Sequence, residues 1–143
     1  MATRSAIGVM HGEVCKSVYC HWDGYVGHNG KMLQEHYTNS AKVNLLVSLG
    51  DISSLSETIG EKHDFDDRSH PTWTKFYGRD RGEENTQFRT FTDYDSFINH
   101  YNGMGCEFFY IMKDGVWYVS QNGRPLEALV DVLEREAAEA SDD

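Results

Sequence analysis

The sequence predicts an α+β fold, an antiparallel sheet built from N-terminal and C-terminal hairpins and packed with about four helices. Apolar residues alternate around a turn at residues 4–20, and two apolar runs flank a turn at residues 108–119. Between and after these stretches the apolar spacing changes to the helical three-and-four pattern. The order that results is hairpin, two helices, loop, helix, hairpin, helix.

In the first hairpin, Ile7 and Val9 alternate with small or polar neighbours, His11-Gly12-Glu13 makes the turn, and Val14 and Val18 resume the pattern. Lys16 shares the Val14/Val18 face, so that face is not wholly buried. Residues 21–30 hold Gly24, Gly27 and Gly30 and read as a loop free to take positive φ. Residues 31–37 read as a short helix with Met32, Leu33, His36 and Tyr37 on one side. Asn39-Ser40 is an N-cap for a second helix through Leu49, closed by Gly50. Asp51 to Thr90 is mostly polar and without a clear period, the signature of a long functional loop. Within it, Tyr77-Gly78-Arg79-Asp80-Arg81-Gly82-Glu83 frames two arginines with two glycines. Thr92 with Asp95 resembles a capping box for a helix ending near Tyr101.

Phe108 to Met112 and Val116 to Val119 form a hairpin turned at Lys113-Asp114-Gly115. Apolar side chains on both faces predict central strands, covered on both sides by the chain itself or on one side by a partner subunit. A homodimer or higher homo-oligomer is therefore an expectation. Pro125 opens a last helix with Leu126, Leu129, Val130 and Leu133 as its apolar stripe.

With 143 residues, 39% of them hydrophobic, the chain is large enough for one core without disulfides or metals. The reading places a globular domain at 1–126 and an acidic helix and tail at 127–143. That tail carries seven acids (Glu127, Asp131, Glu134, Glu136, Glu139, Asp142 and Asp143) against one base, Arg135, and so holds most of the net charge of −10. Such an acidic chain is poorly suited to grip duplex DNA, where phosphate attraction dominates affinity. No apolar run approaches membrane-spanning length, and no signal-peptide core follows Met1, so a cytosolic protein is expected. Cys15, Cys20 and Cys106 include no C-x-x-C pair, and three free thiols are expected.

The densest chemistry lies in Val18-Tyr19-Cys20-His21-Trp22-Asp23-Gly24-Tyr25. Aromatic faces stack on nucleobases, and arginine forks hold phosphate oxygens. Tyr19, His21, Trp22, Asp23 and Tyr25 with Arg79 and Arg81 therefore form the candidate site for a phosphorylated nucleotide. Against it stands a plain structural role, with the rings in the core and the arginines paired to Asp80, Glu83 and Glu84. A Cys20 nucleophile served by His21 and Asp23 is a weaker reading, because strand neighbours point to opposite faces; His36 or His100 would have to be the base. A metal site from His63, Asp64, Asp66, Asp67 and His70 lacks a recognised ligand spacing. No catalytic residue, cofactor or metal is expected. No Walker loop, Gly-x-Gly-x-x-Gly or Gly-x-Ser-x-Gly occurs.

Arg4-Ser5-Ala6-Ile7-Gly8, Ser17 to Tyr25, Leu33-x-x-His36-Tyr37, Leu49 to Leu55 and Tyr77 to Glu83 resemble a family of small tailed-bacteriophage proteins of largely unassigned function. The resemblance covers roughly residues 4–120 and not the acidic end. It implies a phage protein in the cytoplasm of an infected bacterium. It further implies an antagonist of host defence that sequesters a cyclic-oligonucleotide immune signal without cleaving it. The competing expectation is an acidic inhibitor that mimics nucleic acid or blocks a host defence complex, of the anti-CRISPR or anti-restriction type.

Overall fold

A computed structural model describes residues 2–141. The fold is α+β: one mixed sheet of eight strands and five α-helices. The first hairpin is β1 (Arg4–His11) and β2 (Val14–Cys20), in register from Ser5 opposite Cys20 to His11 opposite Val14. The second is β6 (Cys106–Lys113) and β7 (Val116–Gln121). Its two-residue turn has φ of 51° at Asp114 and 78° at Gly115, the positive pair that matches the twist of a tight hairpin.

The two hairpins join in parallel through β1 and β6, with Ala6 opposite Phe109 and Val9 opposite Met112. The sheet is therefore mixed at its centre, although each hairpin is antiparallel as expected. Both faces of β6 are covered within the chain. On one face lie α1 (Lys31–His36), α2 (Ser40–Ser48) and α5 (Leu129–Ser141), over Ile7, Val18, Tyr110, Trp117 and Val119. On the other lies α4 (Tyr94–Asn102), whose Phe97 and Tyr101 pack on Ala6, Cys15, Phe109 and Ile111.

Several boundaries differ from the sequence reading. The 21–30 loop contains a π-helical turn, Val26–Gly30, that runs straight into α1. In α1, Leu33 is buried and Tyr37 just beyond is too, but His36 is exposed. Asn39 caps α2 as expected, accepting from the Ala41 and Lys42 amides. The cap of α4 is Asp93 rather than Thr92, and its Oδ1 accepts from the Ser96 amide at 2.8 Å. The last helix starts four residues later than Pro125 predicts, because Glu127–Ala128 extend as β8 and pair with β7. Of the expected stripe, Leu129 and Leu133 meet the core, joined by Val132, while Leu126 lies before the helix and it and Val130 are exposed. Through Leu129, Val132 and Leu133 this helix thus shares the core of the body of the chain.

The segment from Asp51 to Thr90 is not a structureless loop. It holds β3 (Ile52–Ser54), β4 (Lys75–Phe76), α3 (Tyr77–Arg81) and β5 (Arg89–Phe91). The outer edge of β2 is shared: β3 pairs with its end at Cys20, and β5 pairs with Cys15 to Ser17. At the junction the Tyr19 amide donates to the Asp51 carboxylate at 2.9 Å. Arg89 grips both oxygens of that carboxylate, at 3.1 and 3.3 Å. The Asp51 side chain is 7% exposed and that of Arg89 27%. Removing one partner of such a pair strands the other charge in a poor solvent. Arg89→Ala is therefore expected to lower unfolding free energy by about 3 kcal/mol, read from urea denaturation; a loss below about 1 kcal/mol, the range of an exposed pair, would contradict this account.

Candidate functional site

The pleat of β2 divides the aromatic segment. Val18 and Cys20 enter the core under α1 and α2, whereas Tyr19 lies on the α4 side. Beyond Cys20 the chain continues along β3, with the His21 and Trp22 amides donating to the Ile52 and Ser53 carbonyls at 3.0 Å each. Tyr19 and His21 share a 2.7 Å hydrogen bond, and His21 meets the Trp22 indole edge-on at 4.6 Å. Burial, aided by the Arg4 charge, lowers the His21 pKa, so this imidazole is neutral at pH 7.

At Asp23 the backbone turns through φ of 57°. Gly24 then passes so close to β1 that a Cβ would lie 2.8 Å from Cβ of Ser5. A glycine is required for that approach. The Gly24 carbonyl accepts from the Tyr110 hydroxyl at 2.6 Å. The buried Asn29 side chain donates to the Trp22 carbonyl at 3.3 Å and to Ser5 Oγ at 3.2 Å. The segment is thus held rigidly, but its side chains diverge. Trp22 and Tyr25 are each 45% exposed. Tyr25 lines a cavity against α5, of about 370 Å³, with Arg124, Glu127, Arg135, Glu136 and Glu139 on its walls. Asp23 lines a different one.

The two arginines are engaged elsewhere. Residues 77–81 form the short helix α3, closed by Gly82 at φ of 73°, rather than an open glycine loop. Arg79 is nearly buried. Its Nε donates to Asp80 Oδ1 at 2.9 Å, and its Nη atoms donate to the Ile59 and Thr74 carbonyls at 2.9 Å each. Asp80 also accepts from the Phe76 and His63 amides, at 2.9 and 3.2 Å. Arg79 is a strut that ties residues 59–80 together. Arg81 pairs with Glu83 at 2.9 Å and lies over the Phe65 and Tyr77 rings. Neither arginine lines the cavity of Asp23 or that of Tyr25.

What Asp23 does line is a cleft of about 430 Å³ between the π-helical turn and residues 67–75, floored by Ser54, Leu55 and Ser56. His28 stands beside Asp23, and Asp67, Arg68, His70, Trp73 and Lys75 form the far wall. The volume lies in the range of small-molecule sites. Arg68 is exposed and makes no ion pair with any described residue. Lys75 makes no ion pair either and lies 5.7 Å from the Phe65 ring centre. His70 and Trp73 stack at 3.8 Å with their planes 8° apart. The Asp67 carboxylate accepts from the Ser69 hydroxyl and amide, at 2.7 and 2.8 Å. These bonds, with the nearby His70 and His63 rings, hold it below the usual carboxylate range. Sequence reasoning missed Arg68, Trp73 and Lys75 as site residues. The signal available was the turn-forming run Asp67-Arg68-Ser69-His70-Pro71, which marks a shaped wall.

The remaining candidates take other roles. Cys20 is fully buried, its thiol donates to the Trp22 carbonyl, and burial pushes it up to about 12, with Asn29 opposing. At neutral pH it is a protonated thiol, not a nucleophile. His36 sits beside Glu35, and His100 against Phe91 and Tyr101. Among the described residues, no three His, Cys, Asp or Glu side chains are placed to hold one metal ion. Asp64 instead accepts from the Asp66 amide, and His63 is packed inside against Trp73 and Asp80. No described helix is long and apolar enough to cross a membrane.

Burial also pushes Cys15 and Cys106 up to about 12. All three thiols are therefore expected to resist iodoacetamide in the native protein and to react once it is unfolded, counted by intact mass. Asp80 gives a pH signature. Burial alone would raise its pKa, but the Arg79 guanidinium and two amides more than offset this and hold it below the usual carboxylate range. A carboxylate with a depressed folded pKa stabilises the fold above its unfolded pKa, and that contribution is lost as pH falls through the folded value. Asp80→Asn should thus lower the urea midpoint at neutral pH. The gap to wild type should narrow as pH falls below about 4; a gap constant with pH would refute the Asp80 account.

Compared with protein-family models, curated proteins and solved structures, the chain matches none.

Proposed function

We propose that the protein binds a phosphorylated nucleotide in the cleft between the π-helical turn and residues 67–75, and that it holds this ligand without cleaving it. The observation that carries the reading is the meeting of two cations that form no ion pair among the described residues, Arg68 and Lys75, with a ring stack and the Asp23 carboxylate in one cleft. Guanidinium and ammonium groups free of carboxylate partners hold phosphate oxygens through charge-assisted bonds. Asp23 and His28 supply acceptors and donors for base or ribose edges. Arg68 and Lys75 thereby replace Arg79 and Arg81 in the phosphate role. Asp23 remains from the original constellation, while Tyr19, His21 and Trp22 support the segment that carries it.

The resemblance to small phage proteins supports a cellular setting for this binding. The ligand would be a cyclic-oligonucleotide immune signal, and its sequestration would blunt a host defence in the bacterial cytoplasm. The competing reading, an acidic inhibitor of a host complex, is favoured by the exposed carboxylates Asp131, Glu134, Glu136 and Glu139 on α5.

Calorimetry against adenosine monophosphate and a panel of cyclic di- and trinucleotides tests both. Saturable binding is expected, weakened about tenfold by Arg68→Ala and by Lys75→Ala (each about 1.4 kcal/mol). Arg81→Ala and charge neutralisation of residues 134–139 should leave it unchanged. The nucleotide recovered after heat release should be intact. No heat with any panel member at high micromolar concentration removes the proposal, and recovery of an altered nucleotide makes the protein an enzyme.

A further inference from the structure

The geometry points to the outer face of His70 as the seat of the ligand's flat ring, an inference that rests on the cleft being the nucleotide site. The indole of Trp73 is the larger surface, but one of its faces is covered by the His70 imidazole at 3.8 Å, nearly parallel. The indole also lies against Gly60, where an added Cβ would come within 2.4 Å of Cγ. Gly60 has φ of 68° and no side chain, so the indole can lie directly on its backbone. Trp22 and Tyr25 do not line this cleft. Phe65, behind Lys75, is stacked on Tyr77 at 5.7 Å and covered by the Arg81 guanidinium.

His70 is different. One face rests on Trp73, and its other face has no ring partner among the described residues. The imidazole is half-buried and lines the cleft. His63 meets Trp73 edge-on at 5.3 Å and His70 at 6.4 Å, bracing the pair from the side. A ligand ring on the outer imidazole face would therefore extend the stack that His70 already makes with the Trp73 indole. Arg68, two residues before His70, lines the same cleft and would take a phosphate while the ring is seated.

Alanine at position 70 would simply uncover the Trp73 face and offer a substitute seat, so the informative variants are His70→Leu, which covers the indole without a π face, and His70→Phe, which restores one. The probes are adenosine monophosphate and ribose 5-phosphate, titrated by calorimetry and followed by proton NMR. His70→Leu should weaken adenosine monophosphate about tenfold, as loss of one base stack does, and leave ribose 5-phosphate nearly unchanged. His70→Phe should bind adenosine monophosphate within about threefold of wild type. The His70 ring protons should shift upfield with the nucleotide and not with the sugar phosphate. Equal losses for both probes, or no loss for either, overturn the ring seat. So does a wild type that binds a cyclic dinucleotide but not adenosine monophosphate, with the cleft reading intact. A wild type that binds no nucleotide removes both.

Discussion

The architecture depends on how one gap in a sheet edge is filled. Strand β2 has two partners on its outer edge, β3 at one end and β5 at the other. Between them the Tyr19 amide has no strand to bond. An unmet buried donor costs about 1–3 kcal/mol. The Asp51 carboxylate fills the gap, and Arg89 neutralises the charge that this brings into the interior. Asp51 stands directly before β3 and Arg89 opens β5, so the same contact closes the base of the long segment between them. The segment is then shaped from within by a second pair, Arg79 with Asp80, whose remaining hydrogen bonds reach Phe76, His63, Ile59 and Thr74. The far wall of the cleft hangs on these polar contacts.

This explains which parts of the fold were legible in the sequence. The hairpins, Asn39 as the cap of α2, the tight turn at Asp114-Gly115 and the double coverage of β6 all follow from local chemistry or from apolar period. The segment 51–90 has no such period, because its order comes from ion pairs and amide bonds between residues far apart in sequence. Arg89 and Asp51 are separated by 38 positions, and no local pattern links them. The start of α5 was misplaced for a related reason: the two-residue β8 draws its backbone into the sheet, and pairing with β7 overrides the helix signal of Pro125.

The candidate site shows the same division. The dense segment at 18–25 reads in the sequence as one ligand-gripping surface, whereas Asp23 lines one cleft and Tyr25 another. Its other side chains disperse because a strand alternates its faces and because Gly24 presses the chain against β1. The paired arginines drew notice as free cations framed by glycines. They are instead joined to Asp80 and Glu83, their immediate sequence neighbours. Arg68 and Lys75, which belong to no motif, are the cleft cations that pair with no carboxylate among the described residues, while Asp67 beside Arg68 is bound to Ser69.

The separation between core and cleft wall bears on how this protein can change. Apolar packing sets the sheet and its helices, and residues 67–75 contribute little to it. Replacements along that wall would reshape the cleft while the central strands stay as they are. Divergence in a lineage should therefore fall there first, with Asp51, Arg89, Arg79 and Asp80 kept as the fixed frame around a variable edge.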